Sequence, residues 1–163
     1  VLGSHYWSDW RERLALQHRF EGTQEMQEAL SLGNAAHGIL AALPDASALE
    51  RVIEHQLQTG EISMAQVDVL LPALRQLLEQ EQLQPYFAPG VEVRNEAAIL
   101  GTDGRMHRPD RVVFLPNEVV VLEFKTGLPL PKHQEQLATY VGLLQQMGHA
   151  AKGELVYLQI EVA

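Results

Sequence analysis

The chain contains no cysteine in its 163 residues. That absence excludes disulfides, thiolate zinc sites, a cysteine nucleophile and cysteine-ligated iron–sulfur clusters in this segment. Long apolar runs are missing as well: none approaches the ~20 residues that a membrane helix needs. No apolar signal-peptide core is visible, because Ser4, His5, Asp9 and Arg11 fall among the first residues. A cytoplasmic location is therefore expected. Positive charge is scarce: 12 Lys and Arg stand against 21 Asp and Glu, a net charge of −9 with His neutral. Phosphate contacts rely on Lys and Arg, so this balance argues against a free-standing nucleic-acid binder. It remains compatible with a site that collects a divalent cation while a partner domain delivers a nucleic acid. No P-loop, G-x-S-x-G or H-E-x-x-H pattern is present. The chain starts at Val1 without Met, which suggests a fragment of a longer protein.

What is present is enough for a buried core. Hydrophobic residues make up 46% of the chain, which suits one globular domain with a helical extension. A helix is expected over His5–Phe20, with Trp7 and Trp10 packing on the core or on a neighbouring domain. Glu21–Leu43 reads as one or two helices, with a possible break at Gly33. Pro44–Ser47 is a turn and helix-start signal, and a helix follows over Ala48–Gln58, ended by Thr59-Gly60. Ser63 can cap a further helix to about Gln82, with Val67, Leu70, Leu71, Leu74, Leu77 and Leu78 at helical spacing. The pattern then changes. Gln84–Gly90 reads as a loop, and Val91–Glu96, Arg111–Leu115 and Val119–Phe124 read as a three-stranded meander. Lys132–Met147 is expected to be helical and Glu154–Ile160 a last strand. The order of helices, three strands, helix and strand points to a mixed α/β (α+β) domain with a central sheet.

Chemistry concentrates in Arg108-Pro109-Asp110 and Glu123-Phe124-Lys125. On a strand, residues two apart share a face, so Glu123 and Lys125 project together and Phe124 points away. The preceding Val119–Leu122 is apolar, and a Glu and a Lys ending a buried strand are costly unless paired or metal-bound. Two carboxylates can hold Mg²⁺ or Mn²⁺ through oxygen, and a neighbouring lysine can orient a metal-bound water or stabilise charge on a phosphate. An E-x-K triplet alone is usually an ordinary surface pair. Here it is joined by Gly33-x-x-x-His37 upstream and by Gln136-x-x-x-Tyr140 downstream, the latter two on one helical face.

The ordered set G-x-x-x-H, Asp, E-x-K and Q-x-x-x-Y resembles the RecB-like branch of the PD-(D/E)XK nucleases, over roughly Gly33–Leu158. That branch includes the nuclease domains of RecB and AddAB-type helicase–nucleases and of UvrD-like proteins. The resemblance implies a restriction-endonuclease-like core over 31–43 and 91–160, with a helical extension over 1–30 and a helical insertion over 44–84. It implies metal ligation by His37, Asp110, Glu123 and the Phe124 carbonyl. Lys125 would be the catalytic lysine, and Gln136 and Tyr140 would contact DNA near the site or steady that lysine. Glu96 matches, less closely, an acidic position on the first strand. Many relatives carry Asp-Tyr-Lys where this chain has Glu-Phe-Lys, and some carry an iron–sulfur cluster that this chain cannot hold.

The implied function is Mg²⁺- or Mn²⁺-dependent hydrolysis of DNA, exonucleolytic rather than endonucleolytic. It would serve DNA repair or recombination beside helicase domains of the same or a partner chain, with no membrane involved. The alternatives are an inactive nuclease-fold module that binds DNA, and a protein-docking domain built on Trp7, Trp10 and the leucine-rich helices. Arg94, Arg105, Arg108, Arg111, Lys125 and Lys132 could line a DNA path or be solvated strand ends. His107 and His133 lie close enough in sequence to be secondary candidates for touching DNA or metal.

Overall fold

A computed structural model describes residues 24–160. The helix expected over His5–Phe20, with Trp7 and Trp10, lies outside the described residues. Helix α1 spans Gln24–Ala42, followed by a 3-10 turn at Ala46–Ala48, α2 at Leu49–Thr59, α3 at Met64–Leu78 and a 3-10 segment at Glu81–Tyr86. The strands are β1 (Glu92–Asn95), β2 (Ile99–Leu100), β3 (Met106–His107), β4 (Arg111–Phe114), β5 (Val119–Lys125) and β6 (Ala151–Tyr157), with helix α4 (Pro131–Gln146) between the last two.

Local chemistry accounts for the helix ends. Asp45 accepts the Ser47 amide at 2.9 Å and starts the first 3-10 turn. Gly60, at φ +79°, closes α2 in the left-handed conformation that a side chain disfavours. Ser63 and Gln66 form a capping box at the start of α3. That helix ends at Leu78 rather than near Gln82, and the stretch expected to be a loop begins within a 3-10 helix. No break occurs at Gly33. Helix α1 runs through it, so the expected division between an extension ending at 30 and a core starting at 31 falls inside one helix.

The main sheet has the order β1-β4-β5-β6. Strands β1, β4 and β5 form the antiparallel meander, and β6 joins β5 in parallel after the α4 crossover. The last strand begins at Ala151, three residues earlier than expected, because Val119 pairs with Ala151 in the parallel ladder. A second, two-stranded sheet, β2–β3, is inserted between β1 and β4 and was not anticipated from the sequence pattern.

Every residue of β5 is buried, as expected of a strand covered on both faces. Val120, Leu122 and Phe124 pack in the larger core with α1, α2 and α3. Val119 and Val121 face the smaller core with Leu137, Tyr140 and Leu144 of α4. Helices α2 and α3 thus share one core with α1 and the sheet. Gly153 on β6 permits the close approach of α4, since a Cβ there would stand 2.7 Å from Leu137 Cδ1.

Candidate active site

The alternation along β5 sets the site. Glu123 and Lys125 continue the parity of Val119 and Val121, and Phe124 turns into the larger core, tilted against Phe87 with ring centroids 6.2 Å apart. Glu123 has no exposed surface, and Asp110 and Lys125 are each 3% exposed. Two carboxylates buried this deeply need hydrogen-bond donors. Backbone amides supply them: the Asp110 amide donates to Glu123 Oε1 at 2.7 Å, and the Phe124 amide donates to Asp110 Oδ2 at 2.7 Å. Asp110 lies just before β4, where the ladder with β5 ends, so its amide turns to a side chain instead of a strand carbonyl.

Helix α1 brings the histidine. Buried His37 places Nδ1 3.9 Å from Asp110 Oδ2. One turn earlier, Gly33 lets the helix lie against the end of β5, for a Cβ at Gly33 would stand 2.9 Å from Thr126 Oγ1. The physical content of the G-x-x-x-H spacing is therefore one close contact and one polar side chain on the same helical face.

Helix α4 approaches from the other side. Lys125 Nζ donates to Gln136 Oε1 at 3.2 Å, and Gln136 Nε2 donates to Tyr140 Oη at 3.0 Å. The four-residue spacing of Gln136 and Tyr140 makes this chain of contacts possible. At the start of α4, buried His133 accepts the Leu130 amide at 3.4 Å, and its Nδ1 lies 3.2 Å from Tyr157 Oη. Tyr157 is the register partner of Lys125 on β6.

A family model, the PD-(D/E)XK nuclease superfamily, matches residues 9–162. The chain belongs to that superfamily. No curated protein matches it significantly. Pro109-Asp110 and Glu123-Phe124-Lys125 fit the letters of the family's name, and they lie just before β4 and at the end of β5.

Divalent metal is typical of the PD-(D/E)XK family, and the donor chemistry here suits it. Carboxylate oxygens, a backbone carbonyl and an imidazole match Mg²⁺ or Mn²⁺, the imidazole favouring Mn²⁺. Each carboxylate gives one oxygen to an amide, and an ionised carboxylate has about four acceptor positions, so capacity remains. Among the described residues, no group of three or more His, Asp and Glu side chains is close enough to hold an ion.

Several sequence expectations change. Arg111 is neither a solvated strand end nor part of a DNA path. It is fully buried, donating to the carbonyls of Tyr86 at 3.0 Å, Leu43 at 2.7 Å and Pro44 at 3.0 Å and to Asn95 Oδ1 at 3.2 Å. Its guanidinium lies 4.3 Å from the Phe87 ring centroid. Burial lowers its pKa to about 10, with Asp45 pulling it upward, so it stays cationic at neutral pH. Arg94, Arg105 and Lys132 are exposed and Arg108 is half-buried. Glu96 lies just beyond β1 at φ +51°, its amide donating to the Asp110 carbonyl at 3.1 Å. His107 stands against Tyr140 rather than in the carboxylate group.

Proposed function

We propose that this domain hydrolyses DNA phosphodiesters with Mg²⁺ or Mn²⁺, as the RecB-like nuclease part of a helicase-linked exonuclease acting in repair or recombination. The observation that carries this reading is the buried Lys125, on the same strand face as Glu123 and tethered to Gln136 at 3.2 Å. A lysine held dry, beside two buried carboxylates, is disfavoured by solvation alone and is suited to a charged substrate.

In this reading His37, Asp110, Glu123 and the Phe124 carbonyl hold the metal, which when bound polarises the phosphate and acidifies a water. Lys125 orients the attacking water and stabilises negative charge gathering on the phosphoryl oxygens. A new P–O bond forms to the water oxygen as the bond to the leaving oxygen breaks. Gln136 fixes Lys125 Nζ, and Tyr140 fixes Gln136. Glu123 and Asp110 also brace each other's strands through the two amide hydrogen bonds, which limits how far the carboxylates can swing. Helicase domains would supply the cationic DNA path that a net charge of −9 does not.

A second reading is an inactive nuclease-fold module that binds DNA or docks a partner, and of these two roles a net charge of −9 favours docking. Cleavage of labelled single- and double-stranded DNA with Mn²⁺, Mg²⁺ or EDTA, beside Lys125→Ala, separates the two readings. Metal-dependent cutting lost in a folded variant supports the nuclease. Cutting at the wild-type rate by Lys125→Ala overturns the site, and metal binding without any cutting favours the inactive module.

A further inference from the structure

The β2–β3 hairpin takes no part in the chemistry above, yet it is tied to the site. His107, at the end of β3, lies three residues before Asp110. Its ring meets Tyr140 edge to face, with centroids 6.0 Å apart and planes at 80°. From Tyr140 the contacts continue through Gln136 to Lys125 Nζ, at 3.0 and 3.2 Å. One path of packed and hydrogen-bonded side chains thus joins the hairpin to the lysine.

The hairpin is shaped to hold His107. Asp103 Oδ1 lies 3.6 Å from His107 Nε2 and accepts the Arg105 amide at 2.9 Å. Gly101 permits this fold, because a Cβ there would stand 2.6 Å from Asp103 Oδ1 and 3.1 Å from His107 Nε2. Gly104, at φ +78°, turns the chain and donates to the Gly101 carbonyl at 3.0 Å. The two glycines have a common result: the Asp103 carboxylate stands beside the imidazole, 3.6 Å from its Nε2.

Tyr140 is buried in the smaller core with Val119 and Val121, and a shift of its ring within that packing would move the hydroxyl away from Gln136. We propose that the β2–β3 hairpin is a positioning clamp, in which His107, braced by Asp103, holds Tyr140 so that Gln136 keeps Lys125 Nζ on the reacting phosphate. His107 touches no reacting atom and is a positioning residue. The proposal rests on the nuclease reading of Lys125.

The test uses the whole chain and labelled DNA with Mn²⁺, comparing wild type, His107→Ala, His107→Phe and Gly101→Ala. A positioning loss lowers kcat by about 10- to 100-fold in His107→Ala and Gly101→Ala, with KM within about twofold. His107→Phe, which keeps a ring edge on Tyr140, should recover most of kcat. ¹³C-tyrosine spectra give a readout independent of cutting, since the chain has only 4 tyrosines. In His107→Ala the Tyr140 ring signals should shift while those of Tyr86 hold. A wild type that cuts beside a His107→Ala variant that cuts equally well overturns the clamp. So does a loss in which KM and thermal stability move with kcat and Phe brings no rescue. If the wild type does not cut, the nuclease reading fails instead, and unmoved Tyr140 signals in His107→Ala would overturn the clamp separately.

Discussion

Asp110 and Glu123 lock each other's strands: the amide of Asp110 donates to the Glu123 carboxylate, and the Asp110 carboxylate accepts the amide that follows Glu123, both at 2.7 Å. The residues proposed to bind metal therefore also terminate the β4–β5 ladder. A carboxylate that serves two ends should show two separable phenotypes when it is altered.

Glu123→Gln keeps an oxygen for the Asp110 amide and removes a buried charge. The metal-free variant is expected to melt at or above the wild-type temperature, because a neutral amide is cheaper to bury than a carboxylate. Its cutting should fall at least about 100-fold, since metal binding contributes several kcal/mol. Glu123→Ala orphans the Asp110 amide and should cost about 1–3 kcal/mol of stability as well. Calorimetry and cleavage on both variants make the comparison. Equal destabilisation by Gln and Ala would refute the proposed separation.

Arg111 holds α1, the second 3-10 segment and β1 to β4 through carbonyls of Leu43, Pro44 and Tyr86 and the side chain of Asn95. Its position at the C-terminal end of α1 also sets a cation near the negative end of the helix dipole. Arg111→Ala removes four hydrogen bonds at this junction and is expected to lose about 3 kcal/mol or more in urea denaturation. Arg111→Lys should lose much of the same, because an ammonium lacks the planar fork that reaches several carbonyls. Arg94→Ala, on exposed β1, should stay within about 0.5 kcal/mol of wild type. Wild-type stability in Arg111→Lys would show that charge rather than hydrogen-bond geometry holds the junction.

The sequence made the meander, the capped helices and the strand parity at Glu123 and Lys125 legible, because each follows from local spacing that short-range sterics enforce. Period-two alternation predicts that Phe124 opposes Glu123 whatever lies above the sheet. Arg111 was not legible as an anchor. Its partners at Leu43, Pro44 and Tyr86 are far away in sequence, and backbone carbonyls leave no residue-type signal. The β2–β3 hairpin was missed because two-residue strands carry too little alternation to register, although its turn at Thr102-Asp103-Gly104 did. Gly33 was misread as a possible break because helix propensity is local. The reason for that glycine is Thr126, brought near only by the tertiary fold.

That contact makes a double-mutant cycle informative. In an open helix Gly→Ala stabilises by about 1 kcal/mol. At Gly33 the new Cβ would stand 2.9 Å from Thr126 Oγ1, so Gly33→Ala should instead destabilise by about 1–3 kcal/mol through overpacking. Metal affinity should fall with it, since His37 is one turn further along α1. In a Thr126→Ala background the hydroxyl is gone and the nearest remaining Thr126 atom, Cβ, lies at 3.8 Å. There Gly33→Ala should regain the helix-propensity benefit. Urea denaturation of the four proteins measures the coupling, and strictly additive effects would show that Thr126 does not constrain the helix.

Alkaline pH tests the far side of the Arg111 junction. Tyr86 accepts Arg111 Nε at its carbonyl and donates its hydroxyl to Glu154 Oε1 at 3.0 Å. Burial raises the phenol's pKa, and the hydrogen bond to Glu154 raises it further, with Lys152 opposing. The folded state thus holds this proton more tightly than the unfolded chain does. Its stabilising effect is fully present below the unfolded pKa of about 10 and is lost as pH rises through the higher folded value. Tyr86→Phe removes the titrating proton while keeping the ring. Its melting temperature should fall furthest below wild type near about pH 8, by the equivalent of about 1 kcal/mol. The gap should narrow above about pH 10 as the wild-type phenol ionises beside the Glu154 carboxylate. A gap that stays constant from about pH 8 to 11 would mean that the Tyr86 proton is not bound more tightly in the folded protein.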